Sequence, residues 1–224
     1  NCPNLSEITF NGEEIDVWCK GLTTLKSVTL SSKVAKIEKD AFAGCTYLKN
    51  VYIDDIMTWC NIEFGTYASS PLSNSADLYV NGKLLEELII PDGVTVVKEN
   101  IFRGCNSIKS VKFPEGVTEI ADYAFLNASS IENIEFSTTI ESIGAYAFYN
   151  CNKLPAVVLP AAVTSLSDYT FSKCSSLQSI EFSENIENIG YGAFAECAGL
   201  TTISIPNSIT NIEGSAFEDC AALE

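Results

Sequence analysis

The sequence predicts a strand-rich solenoid of stacked repeats joined by short turns or short helices. Three observations predict it: a 23-residue self-similarity along nearly the whole chain, apolar residues that alternate with period two inside each repeat, and a phenylalanine column that returns once per repeat. A unit this short cannot bury its apolar side alone, so neighbouring units must stack.

The register is set at the cysteine of Ala-Phe-x-x-Cys. Cys105, Cys151, Cys174, Cys197 and Cys220 fall on it and Ala128 fills the one gap, making five successive steps of 23 residues. Upstream, Gly82, Cys45, Leu22 and Cys2 continue the series at less regular spacing, so that nine to ten repeats are expected. Leu48, Ile108, Leu154 and Leu200 each follow their register residue by three. Pairs such as Val111/Phe113, Ile134/Phe136, Val157/Leu159 and Ile180/Phe182 follow by six and eight. That alternation is the pattern of a half-buried strand. Pro91, Pro114, Pro160 and Pro206 close the strand in four repeats, as suits a residue with no backbone donor. A second apolar pair, for example Val117/Ile120 or Ile186/Ile189, predicts another short extended piece. The tight turn behind it carries Phe42, Phe102, Phe125, Phe148, Phe171, Phe194 and Phe217.

The run Leu48-x-x-Val51-x-Ile53 matches the Leu-x-x-Leu-x-Leu core of leucine-rich repeats. The fuller unit from Ala193-Phe194 through Cys197, Leu200, Ile203 and Ile205 to Pro206 resembles the BspA-like repeat of bacterial surface proteins. The resemblance implies a right-handed, horseshoe-like leucine-rich-repeat solenoid of the α/β class, one domain over 1–224. It lacks the asparagine that usually follows the strand in the general leucine-rich pattern. The resemblance also implies a cell-surface or secreted, adhesin-like protein, and it carries no shared catalytic site.

Composition narrows the chemistry. The net charge is −16 and Arg103 is the only arginine; residues 1–113 carry −3 and residues 114–224 carry −13. Phosphate backbones need clustered basic residues, so nucleic acid is not an expected partner. No apolar run approaches the roughly 20 residues of a membrane helix, and no membrane insertion is expected in this segment. The absence of histidine removes His-dependent triads and His-ligated zinc. No phosphate loop, nucleophile elbow or Cys-x-x-Cys pair occurs, so no cofactor, metal site or enzymatic activity is expected. The chain opens at Asn1 without a leader, and is expected to be the interior of a longer protein, truncated at both ends.

Four features remain as candidates. The register cysteines are expected to form a buried column of small side chains, Gly82 and Ala128 standing in for two of them. Cys60 lies off the lattice and is the one candidate reactive thiol. Between Cys45 and Gly82 the repeat gains 14 residues, and this aromatic insertion at 54–81 holds Trp59, Phe64 and Tyr67. Tyr79 within it is assigned to the phenylalanine column. Loops on a rigid scaffold are favoured for binding and Trp and Tyr are common anchors, although the preferred reading is that Trp59 and Phe64 fold back to seal a widened coil. Finally, the outward strand positions are small and polar apart from Tyr52, Ile89 and Val158. The expected function is binding of a protein or glycan, host extracellular matrix included. The alternative is a structural spacer presenting another domain.

Overall fold

The computed structural model describes residues 4–224; the register position at Cys2 lies outside them. The chain winds into a parallel β-solenoid, and one hydrophobic core runs from Phe10 to Cys220. Each coil but the last places one strand on a first face and a two-residue strand on a second. On the first face Glu7–Phe10, Ser27–Leu30, Asn50–Ile53 and Asp77–Val80 pair in parallel. Glu87–Ile89, Ser110–Lys112 and Asn133–Glu135 follow, then Ala156–Val158 with Ser179–Glu181. The second face carries nine short strands, from Glu14–Ile15 to Asn211–Ile212. Residues 201–206 form no strand, although the repeat pattern predicts one there.

The register follows the sequence lattice: Ser110 sits opposite Asn133 and Ala156 opposite Ser179. Because successive side chains on a strand point to opposite faces, Val111, Ile134 and Val157 turn inward while Lys112, Glu135 and Val158 turn out. The strand-closing prolines start the next turn, as where the Val117 amide donates to the Pro114 carbonyl at 3.4 Å.

The Ala-Phe turn is the third wall of each coil, and it depends on two left-handed residues. Asn100 and Gly104, Tyr123 and Asn127, Tyr146 and Asn150, Tyr169 and Lys173, Gly192 and Glu196, and Ser215 and Asp219 all have φ between 55° and 74°. With the backbone so bent, alternate amides point along the stack. Those of Tyr123, Phe125 and Asn127 donate to the carbonyls of Ala145, Ala147 and Tyr149 in the next coil, at 2.8–2.9 Å. Inside this wall the phenylalanine rings form a continuous ladder from Phe102 to Phe217, with centroids 5.2–5.8 Å apart and planes within 15°.

The cysteine column lies beside that ladder. The Sγ of Cys174, Cys197 and Cys220 each donates to the carbonyl of a phenylalanine in the preceding coil, at 3.2–3.3 Å. Where the column holds cysteine, a weak thiol donor meets an inward carbonyl; Ala128 fills the same buried position on small volume alone. Gly82 is not part of the column. It lies exposed, with φ of 73°, in the hairpin turn between Asp77–Val80 and Lys83–Leu84.

That hairpin corrects the reading of the insertion as one unit. The fourteen extra residues split into two pieces. The first is the helix Ile56–Asn61, which lengthens one coil: its strands Asn50–Ile53 and Asp77–Val80 are 27 residues apart rather than 23. The second is a ten-residue jog from Asp77 to Glu87, in which the chain reverses and restarts on the same face. Tyr79 accordingly belongs to a strand opposite Tyr52, not to the phenylalanine column. Both faces lose their backbone pairing at this seam. Contacts across it are made by side chains, including Lys98 Nζ to the Asn61 carbonyl at 2.8 Å and the Leu78 amide to Ser107 Oγ at 3.2 Å.

Candidate functional site

The six residues singled out from sequence do not share one location. Helix Ile56–Asn61 begins where the Asp55 carboxylate accepts from both the amide and the hydroxyl of Thr58, at 2.7 Å each, a side-chain cap of the usual kind. The helix turns Trp59 inward, where it is 0% exposed. Its Nε1 donates to the Ile101 carbonyl at 3.1 Å and its ring packs 5.5 Å from Phe64. A side chain with no exposed surface offers a partner nothing to touch, so Trp59 seals the widened coil and is not a surface anchor. Phe64 is half-buried in the second-face strand opposite Ile37, on the lattice despite its place in the insertion. Of the insertion's aromatics, Tyr67 reaches solvent, 56% exposed, with the Arg103 guanidinium 4.7 Å above its ring.

Cys60 is corrected in the same way. It is buried beside Trp59, and burial, with Asp55 nearby, pushes its thiol from the ordinary 9.0 up to about 12 against the opposing pull of Lys98. Burial likewise raises Cys19 to about 12 and Cys105 to about 11. The thiolate is the reacting form, and these groups stay protonated at neutral pH. A thiol reagent at neutral pH is therefore expected to leave all eight described cysteines essentially unmodified in native protein and to label them fully in denaturant. Fast native labelling of Cys60, read by mass spectrometry, would contradict its placement.

The outward face of the first-face strands holds the rest. Ile89 and Val158 are 61% and 60% exposed, although each flanks a fully engaged core residue. Tyr52 lies on the same outward row, its ring stacked on Tyr79 at 4.8 Å. Between Ile89 and Val158 the row carries Lys112 and Glu135, ion-paired at 3.1 Å. The pair is exposed, so it adds little stability but fixes a polar patch between two aliphatic points. No group of three or more His, Cys, Asp or Glu side chains among the described residues could hold a metal ion. None of the helices described is long and apolar enough to cross a membrane.

One surface feature escaped the sequence reading. Tyr123, Tyr146 and Tyr169 stack outside the Ala-Phe turn, 5.2 and 4.7 Å apart with planes within 20°, and Tyr191 meets Tyr169 edge-on. All three of the stacked tyrosines occupy the first left-handed position of their turns. A bulky residue there costs about 1–2 kcal/mol relative to ordinary backbone, whereas other coils use Asp40, Asn100, Gly192 or Ser215. Their 23-residue spacing was a usable signal, lost because the core columns absorbed the pattern.

Comparison with known proteins fits this geometry. Among solved structures, a leucine-rich repeat protein of Treponema pallidum is similar over 97% of this chain and 81% of its own, at 21% identity with a TM-score of 0.53. A leucine-rich repeat protein of Eubacterium ventriosum is similar over 96% and 82%, at 19% identity and again 0.53. At these identities the likeness concerns the fold. No curated protein matches the chain. The family model of the BspA type leucine rich repeat region matches in three overlapping stretches, 1–75, 75–165 and 95–224, with six copies of the repeat. With the repeat columns, the stacked coils and a family match along the whole sequence in agreement, the chain belongs to the BspA-type leucine-rich repeat family.

Proposed function

We propose that the chain is a non-enzymatic interaction module, carried at a bacterial cell surface or secreted, that holds a protein partner on the outward face of its first-face strands. A host matrix protein is the leading class of partner, consistent with the setting that BspA-type repeats imply. The observation that carries the proposal is the exposure of Ile89 and Val158, 61% and 60%, on a scaffold whose inward positions are already filled. Packing does not require these side chains to be aliphatic, and apolar points rimmed by charge suit protein association. Protein is favoured over glycan because the two aromatics of that row, Tyr52 and Tyr79, stack on each other and so cover one ring face of each. A rigid scaffold also lowers the ordering cost of association.

The test is a surface-plasmon screen of the purified chain against matrix proteins and mucins, with Ile89→Asp/Val158→Asp run beside it. A saturable protein ligand that the double variant weakens by about tenfold or more is the expected result. A ligand held equally by the variant moves the contact off this face. Silence across the panel favours a spacer that presents another domain.

A further inference from the structure

The tyrosine row is placed against backbone preference, and the phenylalanine ladder behind it already ties the same coils together. Its use therefore lies in the side chains it shows to solvent. Two cations of the chain itself display the chemistry it accepts. The Arg103 guanidinium lies 4.7 Å from the Tyr67 ring and 5.9 Å from the Tyr123 ring, as one more rung of the stack. The Lys173 ammonium lies 5.5 Å from the Tyr149 ring and 3.4 Å from Glu196. One coil further on, Glu218 and Asp219 line the same groove, of about 370 Å³, with Tyr146 and Tyr169. Neither of these carboxylates is ion-paired to a lysine or arginine among the described residues.

We infer that this groove seats an arginine side chain presented by a basic segment of a protein partner, repeating one coil along what Arg103 and Lys173 do within the chain. A guanidinium is planar, so it packs against tyrosine while its fork of donors meets adjacent carboxylates. Lysine meets the charge but not the fork. The surrounding half of the chain carries −13, which draws a basic segment toward the groove before contact. The inference rests on the protein-binding reading above and adds a second surface with a defined partner chemistry.

Calorimetric titration of the chain with an acetylated Arg-Gly-Arg-Gly-Arg peptide tests it, with the citrulline peptide as uncharged counterpart. Saturable binding of the first and none of the second is expected. Glu218→Gln/Asp219→Asn should weaken binding by about tenfold. Tyr169→Asn should do the same while folding normally, since asparagine tolerates the left-handed backbone. A Glu13→Gln/Glu63→Gln variant, altered before the jog and off both proposed surfaces, should bind as the parent does. Absent saturable binding, equal loss in that distant variant, or undiminished binding by Tyr169→Asn each overturns the inference. If the matrix screen finds a ligand while the groove fails, the module stands without this site. If the groove binds arginine and the screen is silent, the site stands and the sheet-face reading falls.

Discussion

Trp59→Ala is expected to split the unfolding of this chain into two steps. The indole is fully enclosed at the seam, packs on Phe64, and bonds the Ile101 carbonyl on the far side of the jog. Truncating a buried tryptophan costs about 3–5 kcal/mol, and here the loss falls on one interface. Stability in a repeat array is close to a sum of coil and nearest-neighbour contributions. Backbone pairing is already interrupted at the seam on both faces, so the weakened interface has no ladder to hold it. Urea unfolding followed by circular dichroism should show two transitions, and hydrogen exchange should show faster opening in coils before the jog or after it, not uniformly. Trp59→Phe, which refills most of the space and loses only the Nε1 bond, should keep one transition at a lower midpoint. A single unshifted transition in Trp59→Ala would contradict the role given to this residue.

The second large effect is expected from Phe148→Ala. Its ring lies between Phe125 at 5.2 Å and Phe171 at 5.5 Å, with Phe136 edge-on at 5.8 Å. Deleting it costs about 3–5 kcal/mol and breaks the ladder in its middle. Phe217→Ala removes a terminal rung with one neighbour, Phe194 at 5.5 Å, and its ring is less buried. It should cost about half as much, because each stacked pair adds only about 0.5–1.5 kcal/mol beyond area burial. Urea midpoints of the two variants give the comparison directly. Equal losses would mean that the ladder acts as isolated rings.

Most of the fold was legible because each core column has a distinct spacing and residue type. Val111, Ile134 and Val157 declare the strand, Phe125 and Phe148 the turn, and all pack into the core as that pattern requires, Ile134 half-buried and the others buried. The site was far less legible, for a physical reason. A column of large apolar residues reports burial, but an isolated Trp in an insertion reports only size, and the direction of Trp59 depends on a helix started by Asp55. The jog was hidden because Gly82 falls on the numerical register while serving a hairpin turn. The tyrosine row was hidden because its positions demand an unusual backbone, and one sequence does not announce the sign of φ.

The coils that follow the jog have a consequence for how the gene can change. From Asn100 to Asp219 each turn repeats the same pair of left-handed positions, each phenylalanine ring stacks on its counterpart one coil away, and thiols such as those of Cys174 and Cys197 bond a phenylalanine carbonyl of the preceding coil. Recombination that deletes or duplicates a segment of one period between two such coils rejoins equivalent contacts, so array length is free to drift there. Recombination across residues 77–86 brings a hairpin against a coil that has no strand to receive it. The jog is thus a phase boundary for duplication: exchange by whole periods preserves the contacts within the coils that follow it, and exchange across it does not.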